Sequence, residues 1–196
     1  MQYFLKFIFP PPVTNTLIIA ALVILTGAHH LDGLIDTCDG VFAGKTVKRR
    51  LAIMADTRVG TFGIAGAILV TLLKYASLSA VPMLPALLLM PALSRWGIVI
   101  AIFTFPYARA SGMGSAFKQG ATWQRLAIAT AIALVAAVTL LSWKGIVLLI
   151  TVCACALGAA VYFNHRLRGL TGDTYGAINE LTEVSVLLLL TIFWRL

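Results

Sequence analysis

Residues 13–40 read VTNTLIIAALVILTGAHHLDGLIDTCDG, an apolar run that leads directly into three aspartates. The run from Val13 to His29 approaches the roughly 20 apolar residues that a helix needs to cross a bilayer. If that helix continues through residue 40, the three aspartates lie at i, i+4 and i+7 and form one stripe. They are Asp32, Asp36 and Asp39. The stretch therefore predicts a membrane span that carries a stripe of carboxylates at its end.

Five further apolar segments are long enough to span a bilayer. They are Thr61 to Ala80, Met83 to Phe105, Thr122 to Leu141, Ile146 to Phe163, and Ala177 to Trp194. With 60% hydrophobic residues among 196 and a mean hydropathy of +0.96, the chain suits a lipid solvent better than water. We predict an all-α, polytopic transmembrane helix bundle of about six spans, in a single domain over residues 1–196, with a kink where Pro85 and Pro91 interrupt the third span.

The basic residues outside the spans divide unevenly between the two faces that alternate along such a chain. One set of loops holds Lys45, Lys48, Arg49, Arg50, Arg58, Arg109, Lys118, Arg125, Arg166 and Arg168, and the other holds only Lys6, Lys144 and Arg195. Because Lys and Arg accumulate on the cytoplasmic side, loops 30–60, 106–121 and 164–176 are predicted to share the cytoplasmic face. Anionic lipid and phosphorylated substrates then explain the net charge of +8, and nucleic acid is not an expected partner.

All seven acidic residues fall in two short stretches, whereas an ordinary solvated surface would scatter them. The first stretch holds Asp32, Asp36, Asp39 and Asp56, and the second holds Asp173, Glu180 and Glu183. Carboxylates stacked on one stripe repel each other unless cations neutralise them or some are protonated. Oxygen donors suit a hard cation, and Mg²⁺ typically uses a few carboxylates while leaving positions for substrate phosphates. The pattern predicts a Mg²⁺–phosphate site, with the basic residues that follow the stripe as counter-charges for a diphosphate.

The second acidic stretch leads into the last predicted span. Asp173 or Thr174 can cap its helix, whereas Glu183 begins an apolar run and would cost roughly 2–3 kcal/mol at the centre of a bilayer, which indicates a functional partner. Arg95 lies inside a span, where it either snorkels to the interface or pairs with a buried anion. The first stretch also has a plainer interpretation as a solvated, salt-bridged turn, which the three-residue stripe argues against.

At these residues the sequence resembles the cobalamin synthase family, the adenosylcobinamide-GDP ribazoletransferases of vitamin B12 assembly. The resemblance is carried by blocks that make up about a quarter of the chain and follow the family's order and spacing. The blocks are HLDGLIDTCDG (30–40), RRLAIM (49–54), DTRVGTFG (56–63), SRW (94–96), PYAR (106–109), GMGS (112–115), LTGDTYGA (170–177) and NELTE (179–183). Members of the family usually carry further hydrophobic segments before the aspartate block, where this chain has one predicted span.

The resemblance implies a Mg²⁺-dependent integral membrane transferase of a bacterial or archaeal cell (inner) membrane, with its site on the cytoplasmic side. A ribose hydroxyl of α-ribazole or α-ribazole 5′-phosphate would attack the cobinamide-side phosphorus of adenosylcobinamide-GDP, and GMP would leave. The catalytic and metal-binding residues would be Asp32, Asp36, Asp39 and Asp56. The substrate-binding residues would be Arg58, Arg95, Arg109, Asp173, Asn179, Glu180 and Glu183. Membrane lipid is a further expected partner, and the sequence leaves a homo-oligomer open.

Two other functions place acids in a membrane bundle. A CDP-alcohol phosphotransferase of phospholipid synthesis also sets aspartates at helical spacing, but its signature carries Ala-Arg between the early and late aspartates, where residues 37–40 here read TCDG. A cation channel or transporter would place carboxylates deep in several spans, whereas these cluster at one face. The sequence therefore favours the transferase.

Overall fold

The computed structural model describes residues 8–109 and 112–195 of the chain, and these residues fold into helices joined by short loops. The helices are α1 (Pro11–Leu25), α2 (His29–Ala43), α3 (Val47–Ile53), α4 (Thr61–Leu78), α5 (Met83–Thr104), α6 (Met113–Gln119), α7 (Trp123–Leu141), α8 (Trp143–Leu167) and α9 (Gly172–Phe193). The prediction of an all-α bundle is confirmed.

Five of these helices, α4, α5, α7, α8 and α9, are long and apolar enough to cross a membrane, as an integral membrane protein requires. Helices α1 and α2 meet the same criterion only as a pair, and they are bent by 87° at the break between them. The described residues thus hold five candidate spans, or six if the bent pair counts as one. Helix α5 continues through Pro91, while Pro85 lies in its first turn, where a missing N–H is tolerated.

Helix α1 ends earlier than the sequence predicts, at Leu25, and does not continue into the aspartates. Gly27 adopts a left-handed φ of 59° and donates its N–H to Ile24 O, while Ala28 donates to Val23 O. This pair of bonds is a Schellman motif, the usual way in which a glycine stops a helix. The aspartates therefore lie on a separate helix, but α2 itself is unbroken, so the aspartate stripe keeps its spacing.

Helix α9 forms the centre of the bundle. It packs against α2, α4, α5 and α8, and it is the most buried of the five spanning helices. Apolar residues surround it at both ends: one cluster includes Leu89, Leu148 and Leu190, and the other includes Leu34 and Ile178. The second cluster lies at the end of the bundle where α2 and the start of α9 meet.

The three loops that are predicted to share one face do meet at this end. Arg50 donates a hydrogen bond to Arg166 O, and Arg166 donates to Val41 O. Ala108 donates its N–H to Leu170 O, and Tyr107 and Leu170 form an isolated parallel bridge. The loop after α5 and the loop before α9 are therefore held together by main-chain bonds.

Two glycines let the backbones of α2 and α9 touch. A Cβ added to Gly33 would lie 2.6 Å from Asp173 O, and one added to Gly176 would lie 2.9 Å from His30 O. Since His30 precedes Gly33 while Gly176 follows Asp173, the two helices run in opposite directions at this contact. The glycines thus bring the two acidic stretches of the sequence together.

We predict that Gly33→Ala destabilises the protein by about 1–3 kcal/mol, because its methyl group would overlap the backbone of α9. The matched control is Gly158→Ala in α8, where an added Cβ meets nothing within 4 Å. That variant should be neutral, or more stable by about 0.5–1 kcal/mol. Thermal unfolding of the purified variants in detergent measures both effects, and equal unfolding temperatures for the two variants would contradict the close contact.

Candidate active site

The three aspartates of the α2 stripe differ in solvent exposure. Asp32 is exposed, Asp36 is half-buried and Asp39 is buried. The charged groups that act on Asp36 include Asp32, Asp39 and Asp173, with Arg109 as the nearby cation. Carboxylates from the first and the second acidic stretches therefore share one electrostatic environment at this end of the bundle, as the sequence predicts.

Asp39 has both carboxylate oxygens engaged by the start of α4. One oxygen accepts the N–H of Gly60 at 2.6 Å, and the other accepts the N–H of Gly63 at 2.8 Å. The first N–H groups of a helix have no partner within the helix, so a buried carboxylate satisfies them well. Asp39 thus fastens α4 to α2.

Asp56 pairs with Arg58 in the loop between α3 and α4. The carboxylate accepts hydrogen bonds from Arg58 Nη2 at 2.7 Å, from Arg58 Nε at 3.1 Å and from the Arg58 backbone N–H at 3.1 Å. These hydrogen bonds lower the pKa of Asp56 to about 2. Asp56 is therefore ionised at neutral pH, and it already has a cationic partner on the surface.

Asp173 lies in the first turn of α9 and forms an ion pair with Arg109, with 3.0 Å between its Oδ2 and Nη2. The cap of α9 is Thr171, whose hydroxyl accepts the N–H of Thr174, while the hydroxyl of Thr174 accepts the N–H of Thr171. The prediction that Asp173 or Thr174 caps the helix is wrong, because Thr171 occupies the cap and Thr174 is its reciprocal partner. The Asp173 carboxylate is left to face Arg109 and the α2 stripe.

Glu180 and Glu183 lie deeper in α9 and belong to a buried ionic network. Lys74 of α4 donates to Glu180 Oε2 at 2.7 Å and also to Glu183 Oε2. Arg95 Nη1 lies 2.6 Å from Glu183 Oε1, and Asn179 Nδ2 donates to the same oxygen at 2.9 Å. Of the two interpretations of Arg95, the buried anion partner is the one that the structure shows.

Lys74 was not among the residues that the sequence patterns selected. It lies inside the apolar segment from Thr61 to Ala80, and its side chain is buried. The sequence does contain a signal for Lys74, because a lone charged residue inside an apolar span indicates a buried partner. The same reasoning applies to Glu183.

Two carboxylates remain without a protein partner among the described residues. Asp32 and Asp36 form no ion pair and accept no side-chain hydrogen bond there, whereas the other acids are all engaged. No group of three or more His, Cys, Asp or Glu side chains in the described ranges is arranged to hold a metal ion. A pair of free carboxylates nevertheless fits Mg²⁺, which takes one or two carboxylates and completes its shell with water and substrate phosphates.

Over residues 1–191 the chain matches the family model described as cobalamin-5-phosphate synthase. It is also similar to several curated proteins named adenosylcobinamide-GDP ribazoletransferase. The protein from Desulforamulus reducens is 40% identical over 176 residues, which cover 88% of this chain and 70% of that protein. The protein from Desulfitobacterium hafniense is 40% identical over 188 residues (92% and 74%), and that from Acetivibrio thermocellus is 37% identical over 195 residues (97% and 79%). No solved structure shows a significant match.

We predict that Asp39→Ala destabilises the protein by about 1–3 kcal/mol, because two amide N–H groups at the start of α4 would lose their acceptor. Asp39→Asn keeps one acceptor oxygen and should lose less. Asp32→Ala is the control, since its exposed side chain supports no other element and its effect should stay within about 0.5 kcal/mol. Thermal unfolding in detergent separates these outcomes, and a wild-type unfolding temperature for Asp39→Ala would contradict the fastening role.

Proposed function

The chain belongs to the cobalamin-5-phosphate synthase family, and we propose on this basis that it is an adenosylcobinamide-GDP ribazoletransferase of late cobalamin synthesis. One observation in the structure supports the proposal above all others. The two acidic blocks of the sequence, which lie more than a hundred residues apart, meet at the contact of Gly33 with Asp173. This contact supports the proposal that the two acidic blocks form one site.

The proposed reaction is a transfer at phosphorus. A ribose hydroxyl of α-ribazole or α-ribazole 5′-phosphate forms a new P–O bond to the cobinamide-side phosphorus, and the bond from that phosphorus to the bridging oxygen of the diphosphate breaks. GMP leaves with the bridging oxygen, and the hydroxyl proton passes to a carboxylate of the α2 stripe. Such a reaction depends chiefly on orientation and on neutralising the charge that develops on the phosphate oxygens.

We propose that Asp32 and Asp36 hold a Mg²⁺ ion together with the diphosphate of the substrate. They are the acids whose oxygens have no protein partner among the described residues. The ion would supply positive charge to the diphosphate. The larger set predicted from the sequence includes Asp39 and Asp56, but Asp39 is occupied by amide groups and Asp56 by Arg58, so we propose supporting roles for both.

The positive side of the proposed site comes from the surrounding loops. Arg109 is held beside the acids by its ion pair with Asp173, and Lys45, Lys48 and Arg49 are exposed on and next to α3. Arginine and lysine in such positions can neutralise the remaining phosphate charge. The two glutamates of α9 are engaged with Lys74, and Arg95 is engaged with Glu183. We therefore do not propose direct contact between these three side chains and the phosphates.

We propose that this end of the bundle faces the cytoplasm of a bacterial or archaeal cell and that its basic loops contact anionic lipid. The loops that meet here carry most of the basic residues outside the spans, as the positive-inside rule requires. A CDP-alcohol phosphotransferase remains the alternative transferase, and the family match favours the cobalamin enzyme over it.

We predict that Asp36→Ala abolishes GMP release from adenosylcobinamide-GDP plus α-ribazole, while the protein still inserts into membranes and purifies as a folded species. The reason is that the carboxylate of Asp36 is half-buried, interacts with the charges of Asp32 and Asp173, and has no protein partner among the described residues. Nucleotide chromatography measures GMP. Thr139→Val on α7 is the control, because Thr139 is exposed and bonds only within its own helix. Wild-type turnover in Asp36→Ala would contradict the site.

Removal of divalent cations should stop the reaction. We expect no GMP release in EDTA and full recovery when Mg²⁺ is added in excess, because the diphosphate would otherwise meet the acids of α2 without a neutralising ion. If turnover persists in EDTA while Asp36→Ala is inactive, the proposed role of the acids would stand and the proposed role of the metal would be refuted.

A further inference from the structure

A single lysine bridges two carboxylates inside the bundle. Lys74 is 7% exposed and lies in α4, a helix that is otherwise suited to lipid. Glu180 and Glu183 are 6% and 5% exposed. Charges in such positions are retained only when they are paired. With Arg95, the network has two positive and two negative groups and is neutral as a whole.

The network is not built to hold a nucleotide or a corrin. The adjoining cavity has a volume of about 20 Å³ and is lined on one side by Lys74, Arg95, Glu180 and Glu183, with His30 near them. Its other lining residues are mostly apolar, from α1 and the start of α2. A cavity of this size holds about one water molecule. The function of these charges must therefore be exerted through the helices that carry them.

Helix α9 connects the network to the proposed site. Gly176, Glu180 and Glu183 follow at i, i+4 and i+7, so the surface that touches α2 at Gly176 continues into the two glutamates. Asp173 lies seven residues before Glu180, or roughly 10 Å along the axis at 1.5 Å per residue. Any slide or rotation of α9 at the network is therefore transmitted to Asp173.

We propose that Lys74 is a positioning residue of the transferase: by binding Glu180 and Glu183 it holds α9 where Asp173 faces Asp32 and Asp36. The inference rests on the proposed function for its kinetic consequence, but its structural part can be measured without any activity. Lys74 supplies the link from α4, and Arg95 supplies a second link from α5 to Glu183 alone.

The test compares Lys74→Met with the double variant Lys74→Met/Glu180→Gln, which restores a neutral network. For Lys74→Met, we expect kcat per folded enzyme to fall by about 100-fold, the loss that a displacement near 1 Å can cause. The KM for adenosylcobinamide-GDP should change little, because the network does not touch substrate. The double variant should stay as slow, because it removes the unpaired carboxylate but does not restore the link from α4 to α9. Lys144→Met is the matched control, since Lys144 bonds Phe193 O at the opposite end of α9, and it should keep the wild-type kcat.

Hydrogen–deuterium exchange provides the readout that does not depend on turnover. In Lys74→Met, amide exchange should accelerate at residues 30–36 and 171–177 and remain unchanged in α7. Unchanged exchange at the α2–α9 contact, or wild-type kcat in Lys74→Met, would overturn the proposal. So would a folded double variant with wild-type kcat, because it lacks the link from α4, and this outcome decides the matter even if Lys74→Met alone fails to fold. A wild-type protein that releases no GMP would refute the proposed function instead, and the exchange result would still decide the structural claim.

Discussion

A charge removed from water must find a partner, and this constraint accounts for the arrangement of four of the seven acids in the protein. Asp39 is satisfied by the first amide groups of α4, Asp173 by Arg109, and the two glutamates of α9 by Lys74 and Arg95. Asp32 and Asp36 are left over among the described residues. These two carboxylates are thus identified because every other acid has a partner, and they lie on the helix that meets the second acidic stretch.

The acidic residues of this protein therefore have two roles. Some hold helices together, as Asp39 does between α2 and α4 and as Glu183 does between α4, α5 and α9. The others face the end of the bundle, beside Arg109 and the basic loops. Sequence motifs do not separate these roles, because a carboxylate that binds amide groups and one that binds a cation can occupy the same kind of block. Only the partners of each oxygen distinguish them.

Much of the fold and part of the site followed from patterns in the chain. Hydropathy predicted five helices, and most of their predicted ends lie within a few residues of the ends in the structure. These helices are α4, α5, α7, α8 and α9. The prediction works because the thickness of the bilayer sets the length of each span. The stop at Gly27 was missed although a glycine after an apolar run is a usual signal. The spacing of the aspartates predicted the stripe on α2. It could not show that Asp39 accepts hydrogen bonds from Gly60 and Gly63, since those bonds depend on how α4 packs. The position of Lys74 inside an apolar segment indicates a partner, but its pairing with Glu180 and Glu183 depends on how three helices converge.

The shared use of one lysine by two glutamates also limits how this protein can evolve. A change that removes the charge at position 74 leaves an excess carboxylate in the bundle, so it is tolerated only if position 180 or 183 loses its own charge in the same lineage. Intermediates with one change are at a disadvantage. We therefore expect these positions to vary together among homologues or to remain fixed, even though none of them needs to touch a substrate.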